Sequence, residues 1–205
     1  MTTLPRSAPA RASIALLAGC LLVSGYLTVA LRSQVDPVAN VVSDYVFYRP
    51  GLLVAAVLLL VCAGVAALVG LARLGVPRSR PVLVLSGLWC AGLLLCAVFP
   101  TNRVSGESSF SGDVHRLAGA TFLTSLPLAA WHLARALRAD RRLRPRADRL
   151  RTLAITGLGL AAVFGLCQLA PTAMGAVQGL AERLALGAEV ALLLTTATTV
   201  EQVTR

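Results

Sequence analysis

Charged side chains are so sparse along this chain that their positions divide it into apolar runs. Residues 12–31, 50–72 and 81–102 carry no charge, and each is long enough for an α-helix to cross the hydrocarbon core of a bilayer, which takes roughly twenty residues. The uncharged run between Arg116 and Arg135 is slightly shorter and gains length by borrowing a turn at either end. From Thr152 to Ala181 the run extends over thirty residues. That is too many for one straight crossing, and the "LAPTAMG" inside it places Pro171 and Gly175 where a turn suits. The pattern predicts an all-α, polytopic membrane protein. Its bundle of six transmembrane helices covers about 12–31, 50–72, 81–100, 115–135, 152–170 and 176–200, between short tails at 1–11 and 201–205. Short links join the spans as three hairpins, packed through small residues such as Gly64, Ala67 and Gly70. The last span stands apart because it holds Glu182, Arg183 and Glu189.

Composition agrees with the pattern. With 57% hydrophobic residues, 14% charged residues and a mean hydropathy of +0.76, the chain has too few polar side chains to cover a soluble globule. A net charge of +10 taken alone points to a polyanionic partner, but its distribution points elsewhere. The N-terminal tail, the second and fourth links and the C terminus together hold fourteen arginines against three acids, a net +11. The alternate connections with the last span hold five against six, a net −1. The positive-inside rule then places both termini in the cytoplasm. It makes "RALRADRRLRPRADRLR", residues 135–151, a cytoplasmic loop lying against anionic headgroups. No aromatic residues interleave these arginines to stack on bases, so nucleic acid is not an expected partner. All nineteen cationic side chains are Arg, which fits a GC-rich bacterial genome and carries no chemistry of its own; the expected location of the six spans is the bacterial cytoplasmic membrane. The five cysteines fall inside apolar runs without a CxxC, as small hydrophobes do, and imply neither disulfides nor a metal site. "LLAGC" at 16–20 matches the pattern that precedes a lipid-modified cysteine. The apolar run continues through residue 31, however, and a retained first helix is expected.

The polar residues that need explaining gather at the end opposite the arginines. They are Asp44 in "VVSDYVFYRPG", Asn102 in "FPTNR", Asp113, His115 and Arg116 in "FSGDVHRLAG", and Gln168, Glu182, Arg183 and Glu189 around the last two spans. Close packing of the hairpins brings these to one mouth. Each has a plain structural reading. Asp113 and Glu182 lie in the first turns of helix starts, where a carboxylate suits the positive end of the dipole. Arg116 and Arg183 suit snorkelling to headgroups or pairing with those acids. His115 is either an interfacial side chain or a proton carrier, its ordinary pKa being about 6.5. Glu189 lies about 10 Å deeper than Glu182 on nearly the same helix face. It is expected to face the bundle interior, with Arg183, Gln168, Arg116 or His115 as partner, for function or as a buried structural hydrogen bond.

The order of short motifs carries a resemblance. "SDY" then "PG" after the first span, "FPTN" followed by "GDVHR", and "GLAER" opening the last span resemble the bacterial domain-of-unknown-function family 998 of six-span membrane proteins, over about Ser13 to Val200. The resemblance implies the six-span fold and highlights Asp44, Pro100, His115, Gly179, Glu182 and Arg183. Where Asn102 stands, that family commonly has an acidic residue. It implies no reaction.

Three functions follow as expectations. In the first, a polar pocket opening outward binds a lipid or other apolar or amphiphilic small molecule, with Asp44, Asn102, His115, Arg116, Gln168 and Arg183 as ligand-binding residues. The alternative is an integral-membrane enzyme on a lipid or isoprenoid, with Glu189 or Glu182 as general acid and His115 or Asp44 as base. A small transporter ranks third. No cofactor or metal is expected. His115 and His132 sit roughly 25 Å apart along one helix and cannot hold a haem between them. The expected partners are the bilayer, the small molecule and, as an open alternative, further copies of the chain.

Overall fold

Each apolar run becomes a helix. A computed structural model describes residues 7–73, 79–102 and 109–203, with all of their side chains except those of 171, 172 and 203. Six long helices run over Ala8–Ala30 (α1), Pro50–Arg73 (α2), Arg80–Val98 (α3), Phe110–Leu137 (α4), Arg144–Leu169 (α5) and Gln178–Val203 (α7). A single turn, Pro171–Met174 (α6), and a 3-10 turn, Gly175–Val177, precede α7, and a 3-10 helix, Val42–Phe47, lies in the α1–α2 connection. Among the described residues six helices are long and apolar enough to cross a membrane, and no strand occurs. Arg6, Arg78, Arg103, Glu107 and Arg205, which enter the charge distribution, lie outside the described residues.

Local chemistry sets the helix starts. Ser79 Oγ accepts from the Val82 N–H at 3.4 Å and Ser109 Oγ from the Gly112 N–H at 3.0 Å, which caps α3 and α4. Proline stands at the first or second position of α1, α3 and α5, where its missing N–H leaves nothing unpaired.

Around the bundle the neighbours run α1, α2, α3, α4, α5, α7 and back to α1, while α2 and α4 also reach across to α7. More than half of the α4 and α7 spans is buried, 56% against 22–28% for the other four, so these two form the centre. They are also the least apolar spans, with mean hydropathies of 1.2 and 1.4. Lipid offers nothing to a polar group, so the helices carrying Ser125, Glu182, Glu189, Thr195, Thr196 and Thr199 turn them inward. The buried threonine hydroxyls donate to carbonyls one turn back, as Thr196 does to Leu192 at 2.8 Å. Large apolar side chains such as Leu22, Val29, Leu117 and Leu169 point outward.

Small residues set the close approaches. Gly64 leaves room for the Trp89 ring of α3 and Gly70 for Val200 of α7. At Gly92 a Cβ would stand 2.8 Å from the Ala118 carbonyl oxygen of α4. Ser13 Oγ donates to the Ala63 carbonyl at 2.8 Å and ties α1 to α2.

At the arginine end the expected loop over 135–151 is largely helix. α4 runs to Leu137, α5 begins at Arg144, and only a short turn lies between. Arginine is a good helix former, and the fully buried Ala147 and Leu150 extend the packed face of α5 into this segment. Several arginines have protein partners. Arg138 pairs with Asp148, Arg146 bonds Thr199 and Gln202 of α7, and the Arg151 guanidinium lies 5.2 Å from the Trp131 ring centre. Arg11 and Glu201, 4.0 Å apart, bring the first and last helices together. Cys20, the cysteine of "LLAGC", is buried inside α1.

A methyl group added at Gly64 meets the Trp89 ring, whereas one at the lipid-facing Gly159 meets nothing within 4 Å. Gly64→Ala is therefore expected to destabilise the protein by about 1–3 kcal/mol through overpacking. Gly159→Ala is expected to leave it unchanged or slightly more stable, both read from thermal melting in detergent.

Candidate functional site

The first turns of α7 present Gly179, Glu182 and Arg183 on one face, three and four residues apart. All three contact the α1–α2 connection. A Cβ on Gly179 would collide with the Asn40 carbonyl oxygen, so only glycine lets that backbone lie against the helix. Beside it, the Leu180 N–H donates to the Val38 carbonyl at 3.0 Å. Arg183 Nη1 donates to the carbonyls of Asn40 at 2.7 Å and Gly179 at 3.0 Å, and Nη2 donates to the Tyr45 hydroxyl at 3.0 Å. The guanidinium also lies 5.7 Å from the Tyr45 ring centre.

Glu182 acts differently from the expected cap of its own helix. Its Oε2 accepts from the N–H of Val42 at 2.5 Å. Val42 is the first residue of the 3-10 helix, and Val41 before it offers no side-chain cap. The buried carboxylate thus caps an element 140 residues away in sequence. Nor does Arg183 snorkel to headgroups or pair with a neighbouring acid, because the connection folds over the end of α7 and supplies nearer acceptors.

The connection is shaped by its own side chains. Asp36 Oδ1 accepts from the Val38 N–H at 2.8 Å and Asn40 Oδ1 from the Asp36 N–H at 3.0 Å. Tyr45, 1% exposed, packs with Leu27, Leu31 and Val35, and its hydroxyl donates to Thr28 Oγ1 at 3.2 Å. Asp44 accepts from Asn40 Nδ2 at 3.4 Å. Burial pushes the Asp44 carboxyl above its ordinary pKa, against the opposing pull of the Asn40 hydrogen bond and the positive fields of Arg183 and His115.

The α3–α4 connection is pinned in a similar way. One ring nitrogen of His115, Nδ1, lies 2.8 Å from the Phe99 carbonyl oxygen, and Ser111 Oγ donates to the Pro100 carbonyl at 2.8 Å. Asn102 Oδ1 accepts from Ser109 Oγ at 2.5 Å, and the amide lies over Gly112, where a Cβ would come within 2.5 Å of it.

Between these two pinned connections lies a cavity of about 380 Å³. Leu53, Leu60, Leu93, Phe122, Leu186 and Val190 give it apolar walls, and Thr28, Thr101, His115, Glu182 and Arg183 give it polar ones. Tyr45 and Val42 roof it. Its volume falls within the range of small-molecule sites, about 300–1,000 Å³, and a mainly apolar wall with a few polar groups is typical of them.

Not every candidate reaches this wall. His115, Glu182 and Arg183 line the cavity. Asp44 lies beside the roof, within electrostatic reach of all three. Asn102 is taken up by the start of α4, the exposed Arg116 pairs with Asp113 one turn away, and the exposed Gln168 stands 3.3 Å from Gln178. Glu189 does not touch the wall. It is 1% exposed, its Oε2 accepts from the Trp89 indole N–H at 2.9 Å, and its Oε1 has no partner. None of the four partners expected for Glu189 reaches it. The glycine at 64 lets the Trp89 ring lie close against α2, where it meets the carboxyl. No group of three His, Cys, Asp or Glu side chains able to hold a metal ion occurs among the described residues.

Sequence reasoning missed Trp89, Tyr45 and Thr28. Trp89 carried a usable signal, since an indole N–H at mid-span needs an acceptor and Glu189 is a mid-span acceptor on another helix.

Six apolar helices, the least apolar two at the centre, define a multi-pass membrane protein. A family model described as "Protein of unknown function (DUF998)" matches residues 14–199, and the chain belongs to that family. No curated protein and no solved structure matches it.

Two outcomes are expected of the roof. Gly179→Ala lifts the connection off α7, so amide hydrogen exchange over residues 38–45 is expected to accelerate while the central α4 amides stay protected. For Asp44, a raised folded pKa means that folding favours the protonated form, so its contribution to stability is lost as pH rises from the ordinary carboxyl range through the folded value. Asp44→Asn cannot ionise. It is expected to melt above the parent at neutral pH and level with it near about pH 3, the gap being small because the group is only half-buried.

Proposed function

We propose that this chain is a binding module of the bacterial cytoplasmic membrane that holds a lipid or other apolar or amphiphilic small molecule in the cavity at the end away from its termini. The observation that carries this reading is the cavity, whose apolar depth between Leu60, Leu93, Phe122 and Val190 is topped by His115, Thr101 and Arg183. An amphiphile fits such a gradient, its tail in the depth and its head at the rim. The charge distribution supports an orientation with the arginine end in the cytoplasm, so that the cavity opens toward the outer leaflet. Glu182 and Glu189, the acids an enzymatic reading would use, each have one oxygen engaged in holding another part of the fold, Val42 and Trp89 respectively.

Native mass spectrometry of the detergent-solubilised protein tests the reading. The expected result is a discrete bound species, reduced by Ala97→Phe, which places a ring in the cavity, and retained in Glu189→Gln, which alters a group off the wall. A protein that carries no discrete species when extracted gently overturns the proposal, as does one that loses the species in Glu189→Gln and keeps it in Ala97→Phe.

A further inference from the structure

We infer that the cavity is loaded sideways from the surrounding bilayer, by a single-chain amphiphile that passes between α1 and α7 at Gly25 and Gly187. The inference rests on the binding role proposed above and specifies the ligand class and its route. The roof is tied down at separate points. Glu182 holds Val42, Arg183 holds Asn40 and Tyr45, and the Leu180 N–H holds Val38. The α3–α4 side is fastened by His115 to Phe99 and by Ser111 to Pro100. These ties fix the two connections, and described residues of both line the cavity, so that a molecule arriving from water would have to pass between them.

The flank is different. Gly25 on α1 and Gly187 on α7 both line the cavity, and both are exposed. A Cβ built on either one meets nothing within 4 Å. The two helices are neighbours, joined by Arg11 and Glu201 at the arginine end. Toward the other end both line the cavity, below the Tyr45 hydroxyl that bridges Thr28 of α1 and Arg183 of α7, and there each has a glycine in place of a side chain. Gly25 lies five residues before the end of α1 and Gly187 nine residues into α7. At about 1.5 Å per residue they lie roughly 7 and 13 Å from those helix ends, a depth at which a spanning helix meets acyl chains. A volume of about 380 Å³ is near the lower end of the small-molecule range, which suits one chain better than the two of a phospholipid.

The test uses the full chain in phosphatidylcholine vesicles and two photoreactive diazirine probes. One is a single-chain fatty alcohol that dissolves in the bilayer. The other is a short sulfonate confined to water. Leu93 and Phe122 are buried from lipid but line the cavity, so labelling there reports on loading. The bilayer probe is expected to label both residues and the sulfonate neither. The double variant Gly25→Leu, Gly187→Leu is expected to slow loading about tenfold, measured by varying the incubation before illumination, and to reach the parent's final extent. Gly159→Leu, which adds the same bulk to a remote lipid-facing site, is expected to load at the parent rate.

Labelling of Leu93 or Phe122 by the sulfonate overturns the route, and so does an unchanged rate in the double variant. A double variant that loses final extent at an unchanged rate has only filled the cavity, which also overturns it. Failure here is separable from failure of the binding role. A discrete lipid that copurifies while the sulfonate reaches Leu93 leaves the role standing without the route. Gated loading of the bilayer probe with nothing copurifying leaves the route without the role.

Discussion

Hydrocarbon supplies no hydrogen bonds, so every polar group drawn below the membrane surface must find its partner inside the protein. Much of the arrangement of this chain follows from that constraint. The two central helices hold most of the buried polar side chains, and each buried hydroxyl on them turns back to its own backbone. Where a helix cannot serve itself, another supplies the partner. Val42 begins a 3-10 helix with no cap of its own, and the Glu182 carboxylate fills the place. The indole of Trp89 would be an orphan donor at mid-span, and Glu189 accepts from it.

The same constraint bears differently on the two ends of the bundle, and the larger cavity lies at only one of them. At the arginine end, Arg146, Thr199, Gln202, Arg11 and Glu201 knit α1, α5 and α7 together. At the opposite end the polar side chains of α7 reach outward to the connection above them. The apolar walls below are left without a filling side chain, and the hollow takes its polar rim from the groups that hold the roof.

The spans were legible in the sequence because charge is excluded from hydrocarbon, which marks a helix's limits even where its packing is unknown. The helix content of the arginine-rich segment was not, since charge spacing locates the membrane surface and is silent about secondary structure beyond it. Glu182 and Arg183 were recognisable as costly residues in a span, yet apart from the Tyr45 side chain their partners are backbone atoms of Val42, Asn40 and Gly179, and a backbone group leaves no mark in a sequence. Glu189 was placed correctly in the interior and assigned the wrong companions. The indole N–H of Trp89 carries no charge, yet its one donor is enough to occupy a carboxylate oxygen.

The central position of α7 bears on how the protein is made. It follows the other five spans along the chain, yet it supplies the acceptor for Trp89, the cap for Val42 and the tether for Tyr45. Until α7 inserts, the N–H groups of Trp89 and Val42 in the segments before it lack these acceptors, and the bundle closes around it only afterwards. A product cut short before Gln178 would insert its helices without the polar partners that α7 supplies.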